Sequence, residues 1–335
     1  GVRVFSIPMQ RPISPFKDLV SLYKLYAFFK KERPDIVHSM TPKAGLLSMA
    51  AAKLAGVPVR IHTFTGLIFP SKQGLMQKLL IAIDRFLCRC ATHIYPEGQG
   101  VKNDLIRFGI TKKTLHIIAN GNANGVDVNY FNPDLFSSTD KQKLKNELKI
   151  APDDFIFVFV GRLVGDKGIN ELMQAFTRLA AQNQNIKLLL VGPMEPELDP
   201  LLPETADQIE THPNVISVGW QDDIRPYLAI SEALVFPSYR EGFPNVVLQA
   251  GAMGLPSIVT NINGSNEIVE NGNNGLVIPV KDASAIFNAM TRLASDKNTY
   301  ISLHKNARAM ITSRYEQTVV WQAILHEYQK LESHV

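Results

Sequence analysis

Residues 240–256, which read REGFPNVVLQAGAMGLP, combine a carboxylate with a turn that opens a helix. Glu241 lies in this turn with Gly242 and Pro244, and the apolar positions that follow have helical spacing. The start of such a helix presents backbone N–H groups and the positive end of its dipole, which together bind an anion such as phosphate. The neighbouring carboxylate can accept hydrogen bonds from hydroxyl groups. These groups suit a ligand that carries both phosphates and sugar hydroxyls, such as a nucleotide-sugar.

A second loop, GRLVGDKG at 161–168, follows an apolar strand and opens another helix. Glycines here allow the backbone to turn tightly beside a ligand. Arg162 and Lys167 project from the loop and can neutralise the two charges of a diphosphate. Asp166 offers either base a competing partner, so a purely structural loop is the alternative. The position at a strand end, as in the first motif, favours a ligand site.

The chain has 335 residues, 45% of them hydrophobic, and can bury two cores because a single core rarely grows past roughly 250 residues. Short β-rich segments alternate with helical periods in both halves, which predicts α/β domains with doubly wound, mostly parallel sheets. The two patterns are separated within 132–154. We expect domains at 1–140 and 141–316 and a C-terminal helix at 317–335. The predicted strands are 2–7, 36–38, 59–63, 93–95, 115–118, 155–160, 187–191, 215–218, 233–236, 257–260 and 276–278.

The first predicted helix has Ser14 as its N-cap and Pro15 at its first position, and it ends before Pro34. Apolar residues recur along it with helical spacing, which predicts a stripe that faces the core. The stripe consists of Phe16, Leu19, Val20, Tyr23 and Tyr26.

Charge is distributed unevenly along the chain. Residues 1–150 carry 22 Lys+Arg against 10 Asp+Glu, whereas residues 151–335 carry 13 against 21. Chance and solubility offer one explanation. The other is that the basic first half faces an anionic surface, such as phospholipid headgroups or a lipid-linked diphosphate.

The two cysteines, Cys88 and Cys90, are too close in sequence for an ordinary disulfide. They lack Cys or His partners at metal-ligand spacing, so we expect buried thiols in a reducing compartment and no metal site. No apolar run approaches the ~18 residues of a membrane span, and no signal peptide is recognised. These features predict a cytoplasmic protein.

The stretch 240–256 resembles the donor-binding signature of the retaining GT-B glycosyltransferases of family 4. In that family two glutamates separated by seven residues meet the donor sugar and the ribose. The matching positions here hold Glu241 and Gln249. An amide still hydrogen-bonds ribose hydroxyls but lacks the strength of a carboxylate, so we expect weaker ribose anchoring. The resemblance implies a GT-B fold, with two Rossmann-like domains facing across a cleft and a C-terminal helix, 317–335, that returns to the first domain.

The resemblance also assigns the donor phosphates to Arg162 and Lys167, where cations stabilise the leaving diphosphate. The segment VGWQDD matches the strand end that receives the nucleotide base, where Trp220 either stacks on the base or packs in the core. NINGSNEIVENG brings Gly264 and Asn266 near the donor. The predicted donor-binding residues are Gly161, Arg162, Lys167, Trp220, Glu241, Gly242, Phe243, Pro244, Asn245, Val246 and Gln249.

Acceptor-side candidates lie in the first half of the chain. His38 and Lys43 occur in VHSMTPKAG, where a strand ends at the ligand edge of an α/β sheet. The alternative is a hydrogen-bonded histidine and a solvated lysine. IHTFTGL resembles the segment that often places a histidine against the donor sugar, but that position holds Thr65, next to Gly66. The histidine of this segment, His62, lies three residues upstream, so a catalytic role for His62 is a hypothesis.

The resemblance covers nearly all of the chain, but roughly 60 residues expected at its N-terminus are absent, so we expect an incomplete first domain with an exposed strand edge. It implies a retaining, metal-independent hexosyltransferase whose donor is a nucleotide diphosphate sugar, linked to UDP. The implied acceptor is a lipid-linked saccharide or a polysaccharide of capsule or O-antigen assembly. The predicted catalytic residues are Glu241, Arg162, Lys167 and His62.

The expected location is the inner face of the cytoplasmic membrane, bound peripherally through the basic first domain. No cofactor and no nucleic-acid partner are expected. Two alternatives stay open. A nucleotide-sugar 2-epimerase shares the two-domain architecture, and a truncated chain could bind nucleotide without catalysing transfer.

Overall fold

The computed structural model describes residues 2–9, 14–195, 197 and 199–333, which form two compact units. Unit 1 comprises the chain up to Ala123 together with the chain from Val319 onward, and unit 2 is Asn124–Thr318. Each unit has its own parallel sheet.

The elements in chain order are α1 (Pro15–Glu32), β1 (Ile36–Ser39), α2 (Pro42–Ala55), β2 (Val59–Phe64), α3 (Gly74–Cys90), β3 (His93–Pro96), α4 (Gln99–Arg107), α5 (Ser138–Glu147), β4 (Phe155–Val160), α6 (Ile169–Ala180), β5 (Ile186–Val191), α7 (Pro203–Thr211), β6 (Val215–Ser217), α8 (Arg225–Ala229), β7 (Ala233–Phe236), α9 (Asn245–Ala252), β8 (Ser257–Thr260), α10 (Ser265–Ile268), β9 (Gly275–Ile278), α11 (Ala283–Ser295), α12 (Lys297–Tyr315) and α13 (Gln317–Glu332). Short 3-10 turns occur at Phe69–Ser71, Pro133–Leu135 and Gly165–Lys167.

The sheet of unit 1 has the order β1-β2-β3, with all pairs parallel. Helix α3 packs Leu87 and Cys88 into a core that includes Met49, Phe69 and Ile94. Burying a side chain of this size stabilises a fold by about 1.5–3 kcal/mol. Helix α13 also packs on this sheet, where its Leu331 joins Val59, Ile61 and Tyr95 in a second cluster.

Two predicted strands of unit 1 are wrong. Residues 2–7 have no strand structure, and 115–118 contributes only a single bridge between Leu115 and Ile94. In both segments an apolar run is present, but no neighbouring strand pairs with it along its length. Residues 2–6 are exposed, whereas Leu115 is buried. Short apolar segments of this kind therefore do not by themselves determine strand pairing.

The apolar stripe predicted to pack against the core on α1 is also wrong, because most of it faces solvent. The helix buries Ser21, Leu25 and Phe29, which lie on its opposite side. Apolar residues occur on both sides of α1, so periodicity alone did not show which side packs. The residues left exposed are Phe16, Leu19, Val20 and Tyr23, while Tyr26 packs partly against the core.

The boundary between the units precedes the one expected after residue 140. The segment that follows Ala123 is held by unit 2: the Val126 N–H donates to the Tyr315 carbonyl (2.8 Å), and the Arg308 guanidinium donates to the carbonyls of Val128 (2.9 Å) and Phe131 (2.8 Å). Because these partners lie far along the chain, local sequence patterns could not place the boundary.

The sheet of unit 2 has the order β6-β5-β4-β7-β8-β9, with all strands parallel. All six strands lie within one residue of the predicted bounds at each end. Strand β4 is apolar throughout and is flanked on both edges, as a central parallel strand should be. The chain leaves β4 toward β5 on one side and later returns to its other side at β7, so the switch point of this doubly wound sheet lies between β4 and β7.

Two further predictions concern the whole chain. Both cysteines are free and buried, as expected. Among the helices that the structure describes, none is long and apolar enough to cross a membrane.

Candidate functional site

The loops that follow β4 and β7 meet at the switch point of unit 2. Close approach requires glycine: a Cβ on Gly168 would lie 2.3 Å from the Pro237 carbonyl oxygen, and Gly168 has φ +73°. The Tyr239 N–H donates to the Asp166 carbonyl at 2.9 Å, which ties the loops together. The two sequence motifs therefore form one site, at the carboxyl edge where α/β sheets bind ligands.

An ion pair between Lys167 and Glu241 joins the motifs. The Ser238 hydroxyl donates to Glu241 Oε1 at 2.7 Å, and Lys167 contacts the same oxygen. The side chains of Lys167 and Glu241 are 16% and 17% exposed. Because both partners are largely removed from water, their attraction is stronger than that of a surface pair.

Arg162 lies at the beginning of the first loop and is more exposed than Lys167. Its guanidinium donates to Glu195 Oε2 at 3.0 Å. Asp166, the competing partner considered from the sequence, pairs instead with Arg240 at 3.0 Å. Both cations of the loop are thus held by carboxylates from other segments of unit 2, and neither is neutralised within its own loop.

Helix α9 begins directly after the Glu241 turn. Phe243 is buried, and its ring packs against Tyr315 with centroids 5.5 Å apart. Gly264 supports the turn from behind, because its Cα approaches the Gly242 carbonyl so closely that a Cβ would lie 2.1 Å from the oxygen. The turn is therefore fixed by packing, and it holds the start of α9 at the carboxyl edge of the sheet. The N-terminal N–H groups of such a helix attract an anion.

Gln249 and Trp220 are the residues predicted to meet the ribose and the nucleotide base. Gln249 lies one turn into α9 and is half-buried. Trp220 is 71% exposed, and its indole N–H donates to Asp222 Oδ1 at 3.1 Å. The core position considered for Trp220 is therefore wrong, and its ring is accessible to a planar ligand.

The acceptor-side candidates of unit 1 are already paired. His38 is hydrogen-bonded to the Tyr328 hydroxyl (2.5 Å) and to Thr63 Oγ1 (2.7 Å), and burial lowers its pKa to about 4. Lys43 forms an ion pair with Asp18 at 2.6 Å. His38 thus takes the hydrogen-bonded position of the alternative, whereas Lys43 is ion-paired and only 24% exposed, which differs from the solvated lysine of that alternative. A small cavity of about 20 Å³ lies beside His38 and Thr63.

His62 does not reach a surface from which it could touch a substrate. Its side chain is 1% exposed and is hydrogen-bonded to the Ser39 hydroxyl at 2.8 Å. A Cβ on Gly45 would lie 2.5 Å from the imidazole, so α2 covers the ring directly. Burial, with a smaller contribution from nearby His38, lowers the pKa of His62 to about 3. The hypothesis of a catalytic His62 is at odds with this position.

Thr65 and Gly66 follow β2 and are partly exposed. The Thr65 hydroxyl donates to the Met40 carbonyl at 3.2 Å, and Gly66 has φ +145°. Both lie in the loop that follows β2, at the carboxyl edge of the first sheet.

Two residues of the unit 2 site were missed from the sequence. Ser238 orients Glu241, and Glu195 holds Arg162. Ser238 follows β7 and Glu195 follows β5, so the rule that ligands bind at carboxyl strand ends could have found both. Across the described ranges, no three His, Cys, Asp or Glu side chains group as metal ligands.

The fold is that of a GT-B glycosyltransferase. Residues 140–310 match the family model of the glycosyl transferases group 1, and residues 1–121 match a glycosyl transferase 4-like domain. The chain belongs to the glycosyl transferases group 1, and it is a glycosyltransferase enzyme.

Two bacterial relatives are similar over most of their length. The capsular polysaccharide biosynthesis glycosyltransferase CapM of Staphylococcus aureus is 32% identical, over 96% of this chain and 83% of CapM. The UDP-Gal:alpha-D-GlcNAc-diphosphoundecaprenol alpha-1,3-galactosyltransferase of Escherichia coli is 33% identical, over 94% of this chain and 80% of that enzyme.

A solved structure has the same fold at low identity. Anabaena HepE in complex with UDP and glucose superposes with a TM-score of 0.81 and 20% identity, over 96% of this chain and 84% of HepE. At this identity the likeness concerns the fold alone.

The close approach of Gly264 to the Glu241 turn predicts a specific loss of stability. Gly264→Ala adds a Cβ that must displace the Gly242 carbonyl, and it also forces alanine to φ +75°. We expect a loss of about 3 kcal/mol in the free energy of unfolding, measured by urea denaturation.

The matched control is Gly272→Ala, which has φ +80° but no atom within 4 Å of the added Cβ. It should cost about 1 kcal/mol, from backbone strain alone. Equal losses in the two variants would contradict the role of Gly264 as a support for the turn.

Proposed function

We propose that this chain transfers a sugar, with retention of anomeric configuration, from a uridine diphosphate sugar to a lipid-linked saccharide acceptor. The observation that carries the proposal is the grouping of Arg162, Lys167 and Glu241 at one switch point, beside the start of α9. Two cations match the two phosphates of the donor, and one carboxylate matches the hydroxyls of its sugar.

In the proposed donor complex, the diphosphate takes the place of the carboxylates that now hold the cations. Arg162 releases Glu195, and this is easy because both side chains of that pair are partly exposed to water. Lys167 turns from Glu241 toward a phosphate. Both known contacts of Glu241 use Oε1, and Ser238 keeps that oxygen hydrogen-bonded. Oε2 is then suited to accept from sugar hydroxyls, and the carboxylate stays oriented after Lys167 has moved.

The proposed chemistry is front-face substitution. The bond between the sugar C1 and the phosphate oxygen breaks as the acceptor oxygen forms its bond to C1 on the same face. The leaving phosphate oxygen takes the proton of the acceptor hydroxyl. Arg162 and Lys167 stabilise the negative charge that develops on the diphosphate, as a bound metal ion can do in other enzymes. We propose that no resident metal is required for this.

The nature of donor and acceptor is supported by the relatives. The Escherichia coli enzyme is named for UDP-galactose and for an acceptor on diphosphoundecaprenol, and the Staphylococcus aureus relative is named for capsular polysaccharide. The basic first half of this chain suits a lipid-linked diphosphate at an anionic membrane surface. A role in capsule or O-antigen assembly, at the cytoplasmic face of the membrane, follows as part of the proposal.

The proposal is tested by incubating the purified protein with radiolabelled UDP-sugars and a lipid diphosphate saccharide. Labelled lipid product whose new linkage has the donor's anomeric configuration, determined by NMR, is expected. Release of an epimerised UDP-sugar in the absence of acceptor would instead identify an epimerase. Binding of UDP without transfer to any acceptor would identify a nucleotide-binding protein.

The phosphate assignment predicts that Lys167→Ala and Arg162→Ala weaken UDP binding about 10- to 100-fold, the worth of one charge-assisted hydrogen bond. Uridine binding should change little, because uridine carries no phosphate. Isothermal titration calorimetry with both ligands makes the comparison. Lys143→Ala, which removes an exposed lysine of α5, is the control. Equal losses for UDP and uridine would refute the assignment.

The sugar assignment predicts that Glu241→Gln lowers kcat by at least tenfold while UDP affinity changes little. The amide keeps the shape of the side chain but loses the charge that orients the sugar hydroxyls. Initial rates and UDP calorimetry on the same preparation provide the test. A collapse of UDP affinity would mean that Glu241 does not act on the sugar.

The amide at Gln249 predicts that one substitution keeps or raises the affinity for the donor. Gln249→Glu should keep UDP-sugar affinity or strengthen it a few-fold, because a carboxylate binds ribose hydroxyls more strongly than an amide does. Comparing UDP with 2′-deoxy-UDP isolates the ribose contact. If the glutamate variant bound UDP more weakly, Gln249 would not face the ribose.

A further inference from the structure

Helix α3 of unit 1 exposes an apolar stripe along most of its length. Leu75, Leu79, Ala82 and Phe86 are spaced i, i+4, i+7 and i+11, so they lie on one face, and all four are exposed. Leu75 is 85% exposed and Phe86 50%. The opposite side of the helix is already occupied, because it packs in the core of unit 1.

A row of cations runs beside the stripe. Lys78, Arg85 and Arg89 are exposed and recur at i, i+7 and i+11. Asp84 is the acidic residue of α3, and it lies on the side of the helix that faces the core, where burial raises its pKa to about 6. The exposed face of α3 therefore combines apolar side chains with positive charge and carries no carboxylate of its own.

The basic row continues into a hollow at the C-terminal end of α3. The hollow has a volume of about 500 Å³ and is lined by Arg85, Arg89, Lys112 and Lys113. Arg85 and Lys113 brace its wall: Arg85 donates to the Phe108 carbonyl at 3.0 Å, and Lys113 donates to the Cys88 carbonyl at 2.7 Å. Within the described chain, the ion pairs include neither Arg89 nor Lys112. Charge is thus concentrated where anionic groups can enter.

We propose that the α3 surface, defined as Leu75, Leu79, Ala82 and Phe86 with Lys78, Arg89 and Lys112, docks on an anionic phospholipid bilayer. The apolar stripe enters the boundary between headgroups and acyl chains, and the cations meet lipid phosphates. This is the arrangement of a helix that lies in the plane of the membrane interface. Charge complementarity favours a bilayer over a second copy of this chain, since the cations of one copy would face those of the other.

The inference rests on the proposed function, because a lipid-linked acceptor is presented at a bilayer. It adds the element of the fold that carries the contact. The net positive charge of residues 1–150 could act anywhere on unit 1, whereas the α3 surface places it beside exposed apolar side chains. Binding should therefore require both parts of this surface.

The test measures binding of the full chain to sucrose-loaded vesicles by sedimentation. Vesicles of phosphatidylcholine alone are compared with vesicles containing phosphatidylglycerol. The variant Lys78→Gln/Arg89→Gln/Lys112→Gln leaves the bracing residues in place. It should bind the anionic vesicles about 100-fold more weakly, since each basic residue near such a surface contributes about fivefold.

The variant Leu75→Ser/Leu79→Ser/Phe86→Ser should also lose binding, at least tenfold, because the apolar stripe supplies the insertion. Leu202→Ser/Ile301→Ser is the matched control, since it removes exposed apolar side chains from unit 2. Its vesicle binding should equal that of the unchanged chain. If either α3 variant bound like the unchanged chain, the proposal would be overturned.

Sedimentation equilibrium of the protein alone tests whether a second copy of this chain covers the α3 surface. A dimer that the serine variant of α3 disrupts, together with no vesicle binding by the unchanged chain, would identify a second copy as the partner and overturn the membrane assignment. All α3 variants should bind UDP as the unchanged chain does, and should transfer sugar to a short-chain, water-soluble lipid diphosphate. If the unchanged chain binds vesicles through α3 but no transfer is detected, the proposed function fails while the docking surface stands.

Discussion

The ion pair between Lys167 and Glu241 is the interaction on which the site depends. It joins a cation of one loop to a carboxylate of another, in a largely buried setting where an unpaired charge would be costly. The pair is possible only because β4 and β7 are neighbours and their loops leave the sheet at the same edge. The sheet order of unit 2 is therefore a requirement of the chemistry as well as of the fold.

The same constraint explains two of the glycines. Gly168 lets one loop touch Pro237, and Gly264 lets a third segment support the Glu241 turn. At each point a methyl group would occupy space already held by backbone. A site assembled from three separate strand ends can be rigid only if the backbones approach this closely, and rigidity is what positions charged groups before a ligand arrives. Before a ligand binds, the ion pairs of Arg162 with Glu195 and of Lys167 with Glu241 hold both cations in place.

The sequence predicted unit 2 well and unit 1 less well, for physical reasons. In unit 2 several strands, such as β4 and β7, are continuous apolar runs, and both motifs follow strand ends, so β4 and both motifs could be located directly. In unit 1 the α1 helix has apolar residues on both sides, and periodicity could not choose between them. His62 was misjudged because its burial depends on α2, whose Gly45 lies against the imidazole. Contacts between distant segments, such as Lys167 with Glu241, also needed the strand order.

The most direct test of the account is a crystal structure of this chain with bound UDP. Both phosphates should lie within hydrogen-bond distance of the Arg162 guanidinium and the Lys167 ammonium, next to the start of α9. The contact between Arg162 and Glu195 should be broken in that complex. A diphosphate bound elsewhere, with the Arg162–Glu195 and Lys167–Glu241 pairs both intact, would contradict the assignment of this site.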